Sequence, residues 1–212
     1  MFQRLSLPFV LALLVGTFFV GPGATPRVAA GNQPAPHYTI STPDAFIYVP
    51  SNATAQQPVQ VLVAMHGMGG NGTTFCQDLL ATAERNGWVV VAPTFRYQDY
   101  KNPALVLQDD TTFLPRLAGM LDRLPGQIGL LTRQKVLLYG HSRGGQAVHR
   151  FATFYPERTL GVAALSAGSY TLPLQTMLVG GRSETLAMPY GVADMRRHLS
   201  REFNYEAFKR IP

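Results

Sequence analysis

One cysteine, Cys76, occurs in 212 residues. An internal disulfide is therefore excluded, and the distance of Cys76 from the amino terminus excludes a lipid-modified N-terminal cysteine. Charge is scarce as well: 14% of residues carry one, and the 18 Lys and Arg that outnumber 12 Asp and Glu are scattered along the chain. Without a block of like charge there is no sign of a nucleic-acid surface, and the balance reads as a mildly cationic solvated exterior. Internal repeats and low-complexity tracts are also missing, which speaks against a solenoid or a long disordered segment. What is present is 46% hydrophobic residues, ample for the core of one domain of ordinary size.

Residues 1–30 stand apart from the rest. "MFQR" is positively charged, "LSLPFVLALLVGTFFVG" is an apolar run, and "RVAAG" sets the small residues Val28 and Ala30 before a cleavage point. This is the layout of a secretory signal, and it implies a secreted or extracytoplasmic protein, in a periplasm or at the cell exterior, with its domain at 31–212. An uncleaved anchor is the alternative and would be the only membrane contact, but Pro8, Gly16 and Thr17 weaken such a span.

Strands and helices then alternate. "FIYV" reads as a strand, and "VQVLVAMHG" and "WVVVAP" are continuous apolar runs of the kind carried by strands covered on both faces. Between them, "TTFCQDLLATAERNG" aligns Phe75, Leu79, Leu80 and Ala83 on one helical face, with Thr73 or Thr74 as cap and Asn86-Gly87 as stop. "DDTTFLPRLAGMLDRLPG" aligns Phe113, Leu117, Met120, Leu121 and Leu124, with Asp110 or a threonine as cap and Pro115 in the tolerant first turn. "KVLLYG" is another strand, "QAVHRFATFYP" a helix ended by Pro156, and "LGVAALSAGSY" a strand with its loop. The fold class that follows is α/β, a mostly parallel sheet with helices on both faces.

Gly140-His141-Ser142-Arg143-Gly144 lies between a strand and a helix and fits G-x-S-x-G. A nucleophilic serine on a sharp strand-to-helix turn needs such glycines, because a Cβ two residues away would collide with neighbouring backbone. A second glycine-rich run, His66-Gly67-Met68-Gly69-Gly70, ends an earlier strand, where a backbone N–H can face a developing oxyanion. The amides of Met68 and Arg143 are the candidate donors. Gly67, Gly69, Gly140 and Gly144 shape the two turns, and His66 supports the loop from below. A plain glycine turn is the alternative for the second run, and its pairing with the elbow favours the oxyanion role.

From Tyr38 to Pro212 the order strand, "HGMGGNG", helix, strand "VVVAPTF", helix, strand, "GHSRGG", helix, strand resembles the α/β-hydrolase fold. Within that fold the chain is similar to exported serine esterases of the polyhydroxybutyrate depolymerase and feruloyl esterase type. It is more distantly similar to prolyl-oligopeptidase-type peptidases, which share the serine followed by two glycines. The resemblance implies hydrolysis of a small-molecule or polymeric ester through an acyl-serine intermediate on Ser142, with no metal and no organic cofactor. It also implies the chain order serine, acid, histidine, with the acid and the histidine each on a loop after a later strand.

After Ser142 the acids are Glu157, Glu184, Asp194, Glu202 and Glu206, and the histidines are His149 and His198. His149 lies two turns along the helix, roughly 10 Å from the elbow, and reads as a helix-surface residue. Asp194 and His198 have the formal order of triad partners, yet "GVADMRRHLSREF" reads as one helix that sets them on a single face. His66, His141 and His37 lie upstream of the serine. "FNYEAFKRIP" stops where the resemblance implies another buried strand. The expectation is therefore a domain lacking its last two strands, with acid and base outside this chain and at most weak activity. Three alternatives stay open: an esterase using Asp194 and His198, a non-catalytic remnant or binding protein, and a site completed by a second polypeptide. Residues 182–200 fall where such folds insert a lid, with Met188, Pro189 and Tyr190 lining an acyl pocket or simply packing.

Overall fold

A computed structural model describes residues 36–212. The expected signal at 1–30, and residues 31–35 of the expected domain, lie outside the described residues. The valine-rich runs become strands: β1 (Tyr38–Ser41), β2 (Ala45–Val49), β3 (Gln60–Met65), β4 (Trp88–Pro93), β5 (Val136–His141) and β6 (Thr159–Leu165). They form one sheet in the order β1-β2-β4-β3-β5-β6. β3 runs parallel to β4 and β5, and β5 parallel to β6, while β2 is antiparallel to both β1 and β4. The mostly parallel α/β class is what the structure shows.

The unbroken apolar character of β3 follows from its central place. Val61, Val63 and Met65 enter one core, and Leu62 and Ala64 the other, because alternate side chains leave opposite faces of the sheet. The first face is covered by α3 (Pro103–Ile128) and α4 (Arg143–Phe154), which contribute Leu114, Leu117, Leu121 and Leu124, and Val148, Phe151 and Ala152. Fully burying a side chain such as Phe151 contributes about 1.5–3 kcal/mol. The second face is covered by α1 (Gly72–Phe75) and α2 (Gln77–Asn86), through Cys76, Ala83, Phe75, Leu79 and Leu80.

Two of the helices that cover the sheet differ from expectation. The stretch read as one helix capped by Thr73 or Thr74 divides at Cys76, and Asn71 is its cap, accepting from the Thr74 N–H at 2.9 Å. The short first piece presses against β4 so closely that a Cβ at Gly72 would overlap the Ala92 carbonyl. Gly87, with φ 66°, ends α2 as expected. The second difference is at α3, which begins at Pro103 behind the Asn102 cap, not at Asp110 or a threonine. Pro103 takes the first position, where a missing N–H costs nothing, so Pro115 lies inside the helix and not in its first turn. Asp109 and Asp110 are buried within α3, which arginine partners from α4 make affordable.

After β6 comes a hairpin that the sequence reading did not contain, β7 (Thr176–Val179) and β8 (Arg182–Thr185), turned by Gly180 and Gly181 with φ 57° and 81°. Two consecutive positive φ values match a type I′ turn, one of the two-residue hairpin turns whose twist suits the flanking strands. The helix expected across "GVADMRRHLSREF" is confined to α5 (Met195–Leu199), with Asp194 at its N-cap, and α6 (Tyr205–Phe208) follows. Residues 182–200 thus comprise β8, a loop and α5, and Met188, Val192 and Met195 of this segment pack into the α3/α4-side core. Among the described residues no helix is long and apolar enough to cross a membrane.

Candidate active site

The parallel strands end together at one edge of the sheet, and the loops leaving that edge carry the candidate site. Ser142 follows β5 with φ 56° and ψ −120°, a conformation that a residue with a Cβ rarely adopts. Three features hold it there. The Ser142 N–H donates to the Leu165 carbonyl at the end of β6 at 2.9 Å, and its carbonyl accepts from the Gln146 N–H at 3.1 Å. The third is the close approach of backbone on either side: a Cβ at Gly140 would overlap the Gly144 carbonyl, and one at Gly144 would overlap that of Met65. Ser142 thus sits at a strained strand-to-helix turn enclosed by backbone on both sides.

The Ser142–Arg143 peptide is oriented by the same bonds. Because the Ser142 carbonyl points along α4 to Gln146, the Arg143 N–H on the opposite side of that planar trans unit points out of the helix N-terminus. An N–H there carries the positive end of the helix dipole and suits a developing negative charge. The loop after β3 lies alongside, since a Cβ at Gly67 would be 3.4 Å from that of Ser142. This loop turns by a bond from the Gly70 N–H to the Gly67 carbonyl at 3.2 Å, with Gly69 at φ 70°, so the Met68 amide stays outside the turn's own bond.

His66 is buried beneath that turn. Its Nε2 accepts from the Phe95 N–H at 3.0 Å, so Nδ1 carries the proton and donates to the Gly67 carbonyl at 2.7 Å. Burial lowers the pKa of the imidazole, against the opposing pull of the Gly67 carbonyl, which matches this neutral tautomer. The ring thereby joins the loops after β3 and β4. A cavity of about 230 Å³ opens beside it, lined by Gly67, Met68, Asn71, Thr74 and Phe75. A larger cavity of about 510 Å³ includes Val61 and Val136, at the opposite ends of β3 and β5, and lies away from Ser142.

Beneath the elbow is a charge cluster that the sequence reading missed. The Arg143 side chain is buried, with Nη2 donating to Asp110 Oδ1 at 2.8 Å and standing 3.5 Å from Asp109 Oδ2. Its guanidinium lies 4.8 Å from the Tyr97 ring centre. Arg150 Nη1 faces Asp110 Oδ2 at 3.3 Å, and the same guanidinium reaches Ser169 Oγ at 2.9 Å and Thr171 Oγ1 at 3.1 Å. Asp109 accepts from the Gln98 backbone N–H at 2.9 Å. Two carboxylates and two guanidiniums thus balance in the interior, tying α3 and α4 to the loops after β4 and β6. Burial pushes the Asp110 carboxyl above the usual carboxylate range, against the pull of Arg150 and Arg143. A signal existed in the sequence, since Arg143, Gln146 and Arg150 form a polar i, i+3, i+7 stripe on a helix otherwise suited to burial.

The imidazoles of His66, His198 and His149 form hydrogen bonds with groups other than the serine. His198 Nε2 pairs with Asp194 Oδ2 at 3.0 Å, and Asp194 Oδ1 accepts from the Met188 N–H at 2.8 Å, so this pair braces its own loop. His149, expected on the helix surface, is instead half-buried, with Nδ1 accepting from the Thr171 N–H at 3.5 Å and Tyr170 edge-on to its ring. The loop after β6 folds over it, which sequence periodicity within one helix does not encode. His141 is exposed beside the elbow. No group of three His, Cys, Asp or Glu side chains able to hold a metal occurs among the described residues.

No family model and no curated protein matches the sequence. Solved structures do. Poly(aspartic acid) hydrolase-1 from Sphingomonas sp. KT-1 is similar over 82% of this chain and 66% of its own, with 21% identity and a TM-score of 0.57. LpqC, a poly(3-hydroxybutyrate) depolymerase from Bordetella parapertussis, is similar over 81% of this chain and 61% of its own, with 22% identity and a TM-score of 0.57. The chain spans less than two thirds of the length of either. A sheet ordered β1-β2-β4-β3-β5-β6, a serine at a strained turn on its carboxyl edge and these two likenesses identify the architecture as the α/β-hydrolase fold.

Proposed function

We propose that this protein is a serine hydrolase of carboxylic esters that works through an acyl-serine intermediate on Ser142, on small-molecule or polymeric substrates. The observation that carries the reading is Ser142 at φ 56° and ψ −120°, a strained position kept at the helix N-terminus with its side chain making no capping bond. In the first step Ser142 Oγ bonds to the ester carbonyl carbon and passes its proton to solvent water, and the carbonyl oxygen takes the negative charge facing the Arg143 and Met68 amides. The alkoxide then leaves with a proton, and water releases the acid by the same route in reverse.

Deprotonation of Ser142 is the step these residues serve least. With His198 paired to Asp194 and His66 engaged by Gly67 and Phe95, neither imidazole is bonded to the serine, and this chain alone turns over slowly. The composition of residues 1–30 supports export, so the substrate would be met outside the cytoplasm. The test is release of p-nitrophenol from p-nitrophenyl butyrate by the purified chain and by Ser142→Ala. A slow release above background that disappears in Ser142→Ala is expected. Equal rates for the two proteins would overturn the nucleophile assignment, and turnover at ordinary enzyme rates would overturn the slow-chain reading.

A further inference from the structure

We infer that Asp110 is a positioning residue for the oxyanion site, acting through the side chain of Arg143 to hold the Arg143 backbone amide on the reacting carbonyl; this rests on the serine-hydrolase reading above. Arg143 occupies the first position of α4, where a helix has no preceding turn to restrain it. The backbone bonds of Ser142 orient the amide, and the Arg143 side chain adds a second restraint from another element. Nη2 is its one nitrogen with protein acceptors: Asp110 Oδ1 at 2.8 Å, Asp109 Oδ2 at 3.5 Å and the Val106 carbonyl at 3.4 Å, while Nε and Nη1 have none. Asp110 therefore carries the strongest tie. The Tyr97 ring packs against the guanidinium, its centre 4.8 Å from the guanidinium carbon.

Stability alone does not account for the arrangement. Apolar side chains of similar volume commonly stabilise a core as well as a buried ion pair does, whereas an ion pair fixes direction as well as contact. Here the direction fixed is that of the residue after the nucleophile. The far oxygen of Asp110 faces Arg150, which holds Ser169 and Thr171 on the loop after β6. One carboxylate from α3 thus sets two elements around Ser142 without touching the substrate. The tie also explains why an aspartate lies in the interior of α3, where helix propensity alone disfavours it.

The experiment compares wild type, Asp110→Asn and Arg143→Lys for kcat and KM on p-nitrophenyl butyrate and for inhibition by an alkyl trifluoromethyl ketone. The tetrahedral adduct of that ketone needs the oxyanion donors, whereas ester binding does not. Asp110→Asn is expected to lower kcat about tenfold or more, to leave KM within about twofold, and to weaken the ketone by the same factor as kcat. Arg143→Lys keeps a charge opposite Asp110 and so protects folding, but it loses the planar guanidinium against Tyr97 and is expected to show the same pattern less strongly. If Asp110→Asn does not fold, Arg143→Lys decides alone. Folded variants with wild-type kcat and ketone affinity would overturn the positioning role while leaving the hydrolase reading intact. Absence of Ser142-dependent release in wild type would overturn that reading, and the positioning role with it.

Discussion

Replacing Ser142 by glycine is expected to make the protein more stable while abolishing the proposed chemistry. At φ 56° and ψ −120° the serine Cβ strains the backbone, and a residue held in such a region costs about 1–3 kcal/mol. Glycine removes that strain but loses more freedom on folding, which offsets about 0.5–1 kcal/mol. The Ser142 side chain makes no capping bond, so its loss subtracts little. The net expectation is about 1 kcal/mol of stabilisation, or roughly 2–4 °C in Tm for a domain of this size. Ser142→Ala is the control, since it removes the hydroxyl but keeps the Cβ and hence the strain. The assay is thermal unfolding followed by far-UV circular dichroism on wild type and both variants. Should the glycine variant melt at or below the alanine variant, the elbow is not strained in the way its dihedral angles imply.

Other substitutions probe the surroundings. Gly144→Ala would drive a Cβ into the Met65 carbonyl, and loss of soluble folded protein in expression trials is expected. Leu114→Ala, at a position with no exposed surface, should cost about 2–5 kcal/mol in urea unfolding. His198→Gln should leave Ser142-dependent ester hydrolysis within about twofold of wild type, because its imidazole serves Asp194; a loss of tenfold or more would return it to the triad. Burial, aided by Arg150, pushes the His149 imidazole from 6.5 down to about 4, so the unfolded chain takes up a proton there before the folded one does. Stability from this group is complete above about pH 6.5, declines by up to about 3 kcal/mol as pH falls toward 4, and changes no further below that. His149→Gln should therefore destabilise less than wild type across that interval in denaturant titrations at stepped pH.

What could be read without coordinates was whatever depends on neighbours in the chain. The strands β3, β4 and β5 were legible because a strand covered on both faces must be apolar throughout, and the elbow because its glycines are demanded by backbone two residues away. The start of α3 was not legible. Asp109 and Asp110 look like cap residues next to the threonines, and they are tolerated inside the helix because Arg143 and Arg150, more than thirty residues later, meet them there. The hairpin of β7 and β8 went unread as well, although Gly180-Gly181 is a turn signal, because its strands are exposed and carry little alternation.

By itself, then, the sequence determined the alternation of strands and helices, the two glycine-shaped turns and the identity of the nucleophile candidate, all of which arise from local sterics and periodic burial. Only the tertiary structure decided what surrounds Ser142. It brought the Gly67 loop against the serine, paired His198 with Asp194 and laid the loop after β6 over His149. It also set a neutral cluster of four charges beneath the elbow, because a buried charge is tolerated only where a partner from another element arrives to meet it.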